Sequence, residues 1–245
     1  MFNVKIKKDV RGLSLEVDFM MGLKYSVGAS LLSADFSRLL EEVKRVEEAG
    51  VDFIHFDVID TSFANYISFG SMLIESLRGL TDLPFDVHCY IMNPMKCVEN
   101  LIKAGANSLS IHLEMTPNIC HAIDYLKRRK VGVGVALLPE TPPESLEYVL
   151  EELDAVTVVG IDLFYPGEWR FMPSQVKKIE KIRRMIDSRN IQVDLRVDGG
   201  VTLENAEEIC KSGANVLVVG SALFHSEDMA RTVRSFKQIL VGKRH

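Results

Sequence analysis

The sequence predicts an α/β fold in the form of a single (β/α)8 TIM barrel, preceded by an N-terminal extension. Three observations support this. The length of 245 residues suits one such barrel, which typically runs to about 250 residues. From residue 25 onward, short apolar runs alternate with amphipathic stretches. A helix–glycine–turn punctuation recurs at Ala49-Gly-Val-Asp52, Ala104-Gly-Ala-Asn107 and Ser212-Gly-Ala-Asn215.

Taken in order, residues 1–24 form the extension and residues 25–245 the barrel. In the extension Val4, Ile6, Val10 and then Leu13, Leu15, Val17 alternate around Asp9–Gly12, the pattern of a β-hairpin. Such a hairpin would plug the bottom of the barrel or pair with a partner subunit; Met20 or Met21 is a second candidate initiator. Strands are expected at Tyr25–Ser30, Phe53–Val58, Phe85–Tyr90, Ser108–His112, Gly132–Leu137, Ala155–Val159, Val193–Val197 and Val216–Val219. They are apolar or β-branched at nearly every position, as parallel strands covered on both faces are. Phe36–Glu48 carries Phe36, Leu39, Leu40, Val43 and Val46 at helical spacing. Gly50, Gly105 and Gly213 each follow a helical stretch, at the left-handed position where glycine is favoured. Eight strands, each followed by a helical or loop segment, fit a closed barrel. The first turn lacks the GxGxxG or P-loop glycines that would favour an open doubly wound sheet.

Composition narrows the class. An apolar fraction of 47% supports a sizeable core, and the net charge of −5 is modest. No Lys/Arg cluster forms a nucleic-acid stripe, and no apolar run reaches the roughly 18 residues needed to span a bilayer. The N-terminus lacks the basic, apolar, small-residue order of a signal peptide. The four cysteines have no CxxC spacing, so reduced thiols serving as core filler in a cytoplasmic protein are expected.

Three strand-end segments carry the chemistry: His55-Phe-Asp57, Asp86-Val-His88 and Arg196-Val-Asp198-Gly-Gly200. His55 and Asp57 are two apart on a strand and so share a face, here the lumen or its rim. With His88 and Asp198 they form a two-imidazole, two-carboxylate set. Mixed N/O donors of this kind suit Zn, Mn, Fe or Co, and no thiolate is placed to join them. Barrel enzymes assemble their sites at the C-terminal ends of the strands. The turns Asp198-Gly-Gly200 and Gly220-Ser-Ala-Leu-Phe224 expose backbone N–H groups before helices, and barrels often bind phosphate in these two loops.

From residue 25 to 240 the chain resembles the ribulose-phosphate 3-epimerase family. The matching segments are Ser30-Leu-Leu-Ser-Ala-Asp35, His55-Phe-Asp-Val-Ile-Asp60 with Ser62-Phe-Ala-Asn65, Asp86-Val-His88, Gly105-Ala-Asn107 and His112-Leu-Glu114. They continue with Gly134-Val-Ala136, Pro139-Glu-Thr141, Val197-Asp-Gly-Gly200 and Gly220-Ser-Ala222. The resemblance implies that His55, Asp57, His88 and Asp198 are metal ligands. It implies that Asp57 and Asp198 are the acid/base pair acting on opposite faces of the sugar. Ser30 would contact substrate, and Gly199, Gly200, Gly220 and Ser221 would form the phosphate site. The implied partner is a small sugar phosphate, the implied cofactor one divalent transition metal, and the implied assembly a homo-oligomer. Inverting C3 of a 2-ketose phosphate needs a proton removed from one face and returned to the other. The neighbouring ketone makes that proton removable, as charge passes to oxygen in an enediolate that a Lewis acid stabilises.

The departures from the family bear on substrate. Ile59-Asp60-Thr61 replaces Met-Asp-Gly, and His88-Cys89-Tyr90 replaces His-Leu-Met. With Val156 on strand six, the three methionines that line the family's site are absent. Tyr90 brings a ring and a hydroxyl instead. The family's Gly-rich flap gives way to Gly160–Met172, where Trp169, the chain's single tryptophan, precedes Arg170. Arg170 is a candidate replacement phosphate ligand. The competing readings are a metal-dependent aldolase or decarboxylase, a non-catalytic sugar-phosphate-binding barrel, and a metal-free phosphate-binding barrel. The first needs a cation near the developing charge, and no Lys follows the expected strand ends.

Overall fold

The computed structural model describes residues 25–62, 64–163 and 169–242. The predicted hairpin and part of the Gly160–Met172 loop lie outside the described residues. The strands are β1 (Ser26–Ser30), β2 (Phe53–Ile59), β3 (Phe85–Tyr90), β4 (Ser108–His112), β5 (Gly132–Leu137), β6 (Ala155–Val159), β7 (Asp194–Asp198) and β8 (Val216–Val219). They pair in sequence order, every pair parallel, and β8 closes back onto β1. The fold is a (β/α)8 TIM barrel.

The helices are α1 (Leu39–Ala49), α2 (Ser71–Arg78), α3 (Val98–Lys103), α4 (Ile119–Arg128), α5 (Ser174–Ser188), α6 (Leu203–Lys211), α7 (Ser221–Phe224) and α8 (Met229–Val241). The β5–β6 connection carries 3₁₀ turns at Pro143–Leu146 and Leu150–Glu152 instead of an α-helix. The helix expected from Phe36 starts later. Asp35 caps a 3₁₀ turn over Phe36–Arg38 by accepting the Ser37 N–H at 3.0 Å, and α1 follows. Phe36 and Leu40, expected on its apolar face, are exposed, while Leu39, Val43 and Val46 are buried.

The recurring Gly-x-Asx punctuation has a physical role. Gly50, Gly105 and Gly213 take φ of +84°, +107° and +116°, which ends each helix cheaply. The Asx two residues on clasps the neighbouring strand's start. Asp52 accepts the Val27 N–H (2.8 Å), Asn107 that of Phe85 (2.7 Å) and Asn215 that of Leu195 (2.7 Å). Asp154 does the same for Val133 at 2.8 Å without the glycine. Each even-numbered strand thus locks the N-terminus of the odd strand before it, and the barrel is built from four such pairs.

Side chains alternate sharply across the sheet. Val27, Ile54, Phe56, Val87, Ile111, Val135, Val158, Leu195 and Leu217 belong to the apolar layer beneath the helices. The lumen is polar: Asp86, Ser108, Arg196, His55, His88 and His112 are all buried and bonded to one another across it. Gly28 has no side chain because a Cβ there would lie 2.1 Å from the Phe53 ring, which with Val216 and Val218 forms a separate apolar cluster. Val156, placed in the site from sequence, belongs to the outer layer; Val159 instead joins the apolar cluster at the mouth. Cys89 and Cys210 fill core as expected, but Cys120 is exposed, off the buried Ala122–Ile123–Leu126 stripe of α4. Among the described residues no helix is long and apolar enough to cross a membrane.

Candidate active site

Strand register brings the predicted set together. His55 and Asp57 point into the lumen from β2, and Asp57 lies beside His88 on β3, as His55 lies beside Asp86. Asp198 ends β7, held there by pairing with Val159. The four side chains His55, Asp57, His88 and Asp198 are buried, and one ligand atom from each lies within 4.8 Å of all the others. His55 Nε2 is 3.1 Å from Asp57 Oδ1 and 3.4 Å from Asp198 Oδ2; His88 Nδ1 is 2.9 Å from Asp198 Oδ2 and 3.8 Å from Asp57 Oδ1.

The surrounding hydrogen bonds suit the tautomer in which each imidazole turns a lone pair toward the cluster. His55 Nδ1 faces the Asp86 carboxylate at 2.8 Å and donates to it, leaving the Nε2 lone pair toward the cluster. Asp86 is itself held by Arg196 at 2.6 Å and by the Ser108 hydroxyl. On the other side, His112 Nδ1 faces Glu114 Oε2 at 3.2 Å and donates, so its Nε2 accepts from His88 Nε2 at 3.0 Å. His88 Nδ1 is then left without a proton. Glu114 is anchored by the Leu138 N–H at 2.8 Å and by the Thr141 hydroxyl. Two nitrogen lone pairs and two carboxylate oxygens therefore face one another, an arrangement that repels itself unless a cation or protons sit among them. Histidines held by carboxylates in this way are typical of metal sites.

The electrostatics show how strongly the cluster draws positive charge. Burial disfavours a charged His55, yet Asp57 and Asp198 outweigh it and raise its pKa well above the usual value. Burial pushes Asp198 up, and the two histidines more than reverse this, holding its carboxyl far below the usual range. His112 is lowered to about 4 by burial, so it stays neutral at pH 7. Burial also raises the Tyr90 hydroxyl, reinforced by Asp198, to which it donates at 3.1 Å.

Above this cluster opens a cleft. Asp57, Asp198, Ser30, Gly199, Gly200, Gly220, Ser221 and Tyr90 all line it. Ser30 donates to Asp57 Oδ2 at 2.7 Å. Gly200 has φ of +69°, and a Cβ there would lie 2.3 Å from the Phe171 nitrogen, so the loop after β6 folds directly against it. That loop is closed at its base by the Met172 N–H donating to the Gly160 carbonyl at 2.7 Å. Arg170 is exposed and does not line the cleft: its backbone packs on Gly200, and Trp169 takes the inward position. Tyr66, Leu32, Ser33, Ile161 and Leu163 complete the walls and were not singled out from sequence. Neither was the role of His112, although the alternation Ser108-x-Ser110-x-His112 places three polar side chains on one face of β4.

The sequence model of the Ribulose-phosphate 3 epimerase family matches residues 26–224. The chain is 41% identical over 213 residues to the chloroplastic ribulose-5-phosphate-3-epimerase of Arabidopsis thaliana, covering 86% of this chain and 75% of that protein. It is 38% identical to the ribulose-phosphate 3-epimerase of Bacillus subtilis (86% of this chain, 97% of that one). Among solved structures, KGPDC from Streptococcus mutans superposes with a TM-score of 0.66 at 17% identity (90% and 99% covered). The 3-hexulose-6-phosphate synthase of Salmonella typhimurium gives 0.65 at 20% (89% and 99%); these two show the shared fold alone. The chain belongs to the ribulose-phosphate 3-epimerase family and is thereby an enzyme of the isomerase class.

Proposed function

We propose that this chain epimerises C3 of a ketose phosphate, D-ribulose 5-phosphate to D-xylulose 5-phosphate or a related pentulose or hexulose phosphate. The observation that carries the reading is the convergence of two carboxylates with two imidazole nitrogens beneath an open cleft. This donor set fits one divalent transition ion, Zn, Mn, Fe or Co, held by His55, Asp57, His88 and Asp198. When bound, the ion acts as a Lewis acid that eases charge onto the substrate's C2 and C3 oxygens.

The chain's own residues do the rest. Asp57 and Asp198 reach the cleft from β2 and β7, so one takes the C3 proton and the other returns a proton on the opposite face. Ser30 and Tyr90 each hydrogen-bond one of these carboxylates and keep it oriented. The N–H groups around Gly199–Gly200 and Gly220–Ser221 receive the phosphate, which holds C3 between the two acids. The mouth cluster of Ile59, Tyr90, Val159, Ile161 and Leu163 limits water around the exposed carbanion. The aldolase or decarboxylase alternative needs a free cation in the cleft. Lys178 is instead held by the Leu138 and Pro139 carbonyls at 2.7 and 2.8 Å, and Arg196 by Asp86.

The test is exchange of solvent deuterium into C3 of ketose phosphates. Exchange in the native chain, lost by at least 10²-fold in Asp198→Asn with the fold intact, supports the assignment. Native-like exchange in that variant would remove Asp198 from the reaction.

A further inference from the structure

Two donors on the cleft wall have no partner. The Tyr66 hydroxyl and the Trp169 indole N–H are buried without a hydrogen bond among the described residues. Folded proteins leave few buried donors in that condition, and each one calls for an explanation. Both residues line the cleft that contains Asp57 and Asp198. Both also pack on the apolar mouth cluster that includes Ile161 and Leu163, so their rings are held while their polar tips stay uncommitted.

They come from separate loops, each tied down. Tyr66 lies on the β2–α2 connection, where the Ser68 hydroxyl donates to the Asp57 carbonyl at 2.5 Å and accepts the Ile59 N–H at 2.9 Å. Trp169 lies on the loop closed by Met172 and Gly160. Two unpartnered donors on separate loops, both on the wall of one cleft, are arranged for a ligand.

The ligand chemistry follows from the proposed epimerisation, on which this inference rests. In a ketopentose phosphate the phosphate and the C2 and C3 oxygens already have receivers. The hydroxyls at C1 and C4, on either side of the reacting pair, do not. We infer that Tyr66 and Trp169 are the specificity-determining residues of this site, each donating a hydrogen bond to one of these two flanking sugar hydroxyls. A site built to bond a hydroxyl rejects an analogue lacking it, because the buried donor is left unpaired.

The test measures binding by calorimetry, and turnover by C3 exchange, for D-ribulose 5-phosphate and its 1-deoxy and 4-deoxy analogues. The proteins are the native chain, Tyr66→Phe and Trp169→Phe, each checked for an unchanged thermal transition. The native chain is expected to bind each deoxy analogue at least tenfold more weakly. Each variant should lose at least tenfold on the full substrate yet bind one of the two analogues as the native chain does, erasing discrimination at that carbon. Equal weakening toward all three ligands, or a native chain that does not bind or does not discriminate, overturns the inference. Discrimination in binding without C3 exchange would sustain the recognition and fault the reaction instead.

Discussion

Replacing Arg196 with methionine removes one half of a buried ion pair and leaves the other in place. The guanidinium lies 2.6 Å from Asp86 Oδ1, with side chains only 9% and 3% exposed. Methionine refills most of the volume, so the main effect is an unpaired carboxylate in the lumen. Removing one partner of a buried pair costs about 3–5 kcal/mol, a downward shift of about 1–2 M in the urea midpoint. Burial, the largest influence on Asp86, raises its pKa; Arg196 and His55 outweigh it and hold it well below the ordinary value. A folded pKa below the unfolded one gives stability that is present above about pH 4 and lost as pH falls toward the folded value. Without Arg196 the carboxyl titrates higher and can neutralise itself, so the variant's deficit should be smaller at pH 5 than at pH 8. Adding Asp86→Asn should recover most of the loss, because the carboxylate left unpaired by the first substitution is then gone. Urea unfolding of the native, single and double variants at both pH values gives the result. A deficit under about 1 kcal/mol, or a double variant no better than the single, would refute the view that a desolvated charge pair holds the lumen together.

Other outcomes follow from the same network. His112→Phe or Glu114→Gln removes the group that sets the proton on His88. Either should weaken metal affinity by about 10–100-fold with little change in fold, measured by competition with a chelator. Gly200→Ala forces a side chain into a positive-φ position against the Phe171 backbone. It should cost at least about 1 kcal/mol and raise the inhibition constant of inorganic phosphate, read by thermal unfolding and exchange kinetics; an unchanged phosphate constant would remove Gly200 from the phosphate site. In acid, the native chain should lose stability below about pH 6, because His112 is lowered to about 4 and an unfolded histidine takes up its proton near 6.5. His112→Phe should flatten that part of the urea stability profile.

Much of the barrel was legible because its signals are local. The apolar runs at Phe85–Tyr90 and Gly132–Leu137 coincide with β3 and β5, and the helix-ending glycines announce the βα repeat. β7 extends to Asp198, past the predicted Val197, because pairing with Val159 carries a charged residue into the sheet. The four-residue cluster was legible too, since alternation puts His55 and Asp57 on one face. What alternation does not reveal is which strands share a lumen level. The bond from Arg196 on β7 to Asp86 on β3 depends on barrel closure and stagger, not on any local pattern. Loop orientation was equally hidden. Trp169 and Arg170 are neighbours, and only the fit of the chain against Gly200 decides that the ring faces the cleft. The placement of Val156 in the site was a register error, corrected by its outward packing.

The most direct test of the central claim joins metal content to exchange at C3. The purified chain is assayed by elemental analysis and by deuterium wash-in, stripped with a chelator, assayed again, and reloaded with Zn, Mn, Fe or Co. Metal-dependent epimerisation requires about one ion per chain, loss of exchange on stripping and recovery with at least one of the four metals. C3 exchange that persists undiminished in a chain stripped of metal would contradict it.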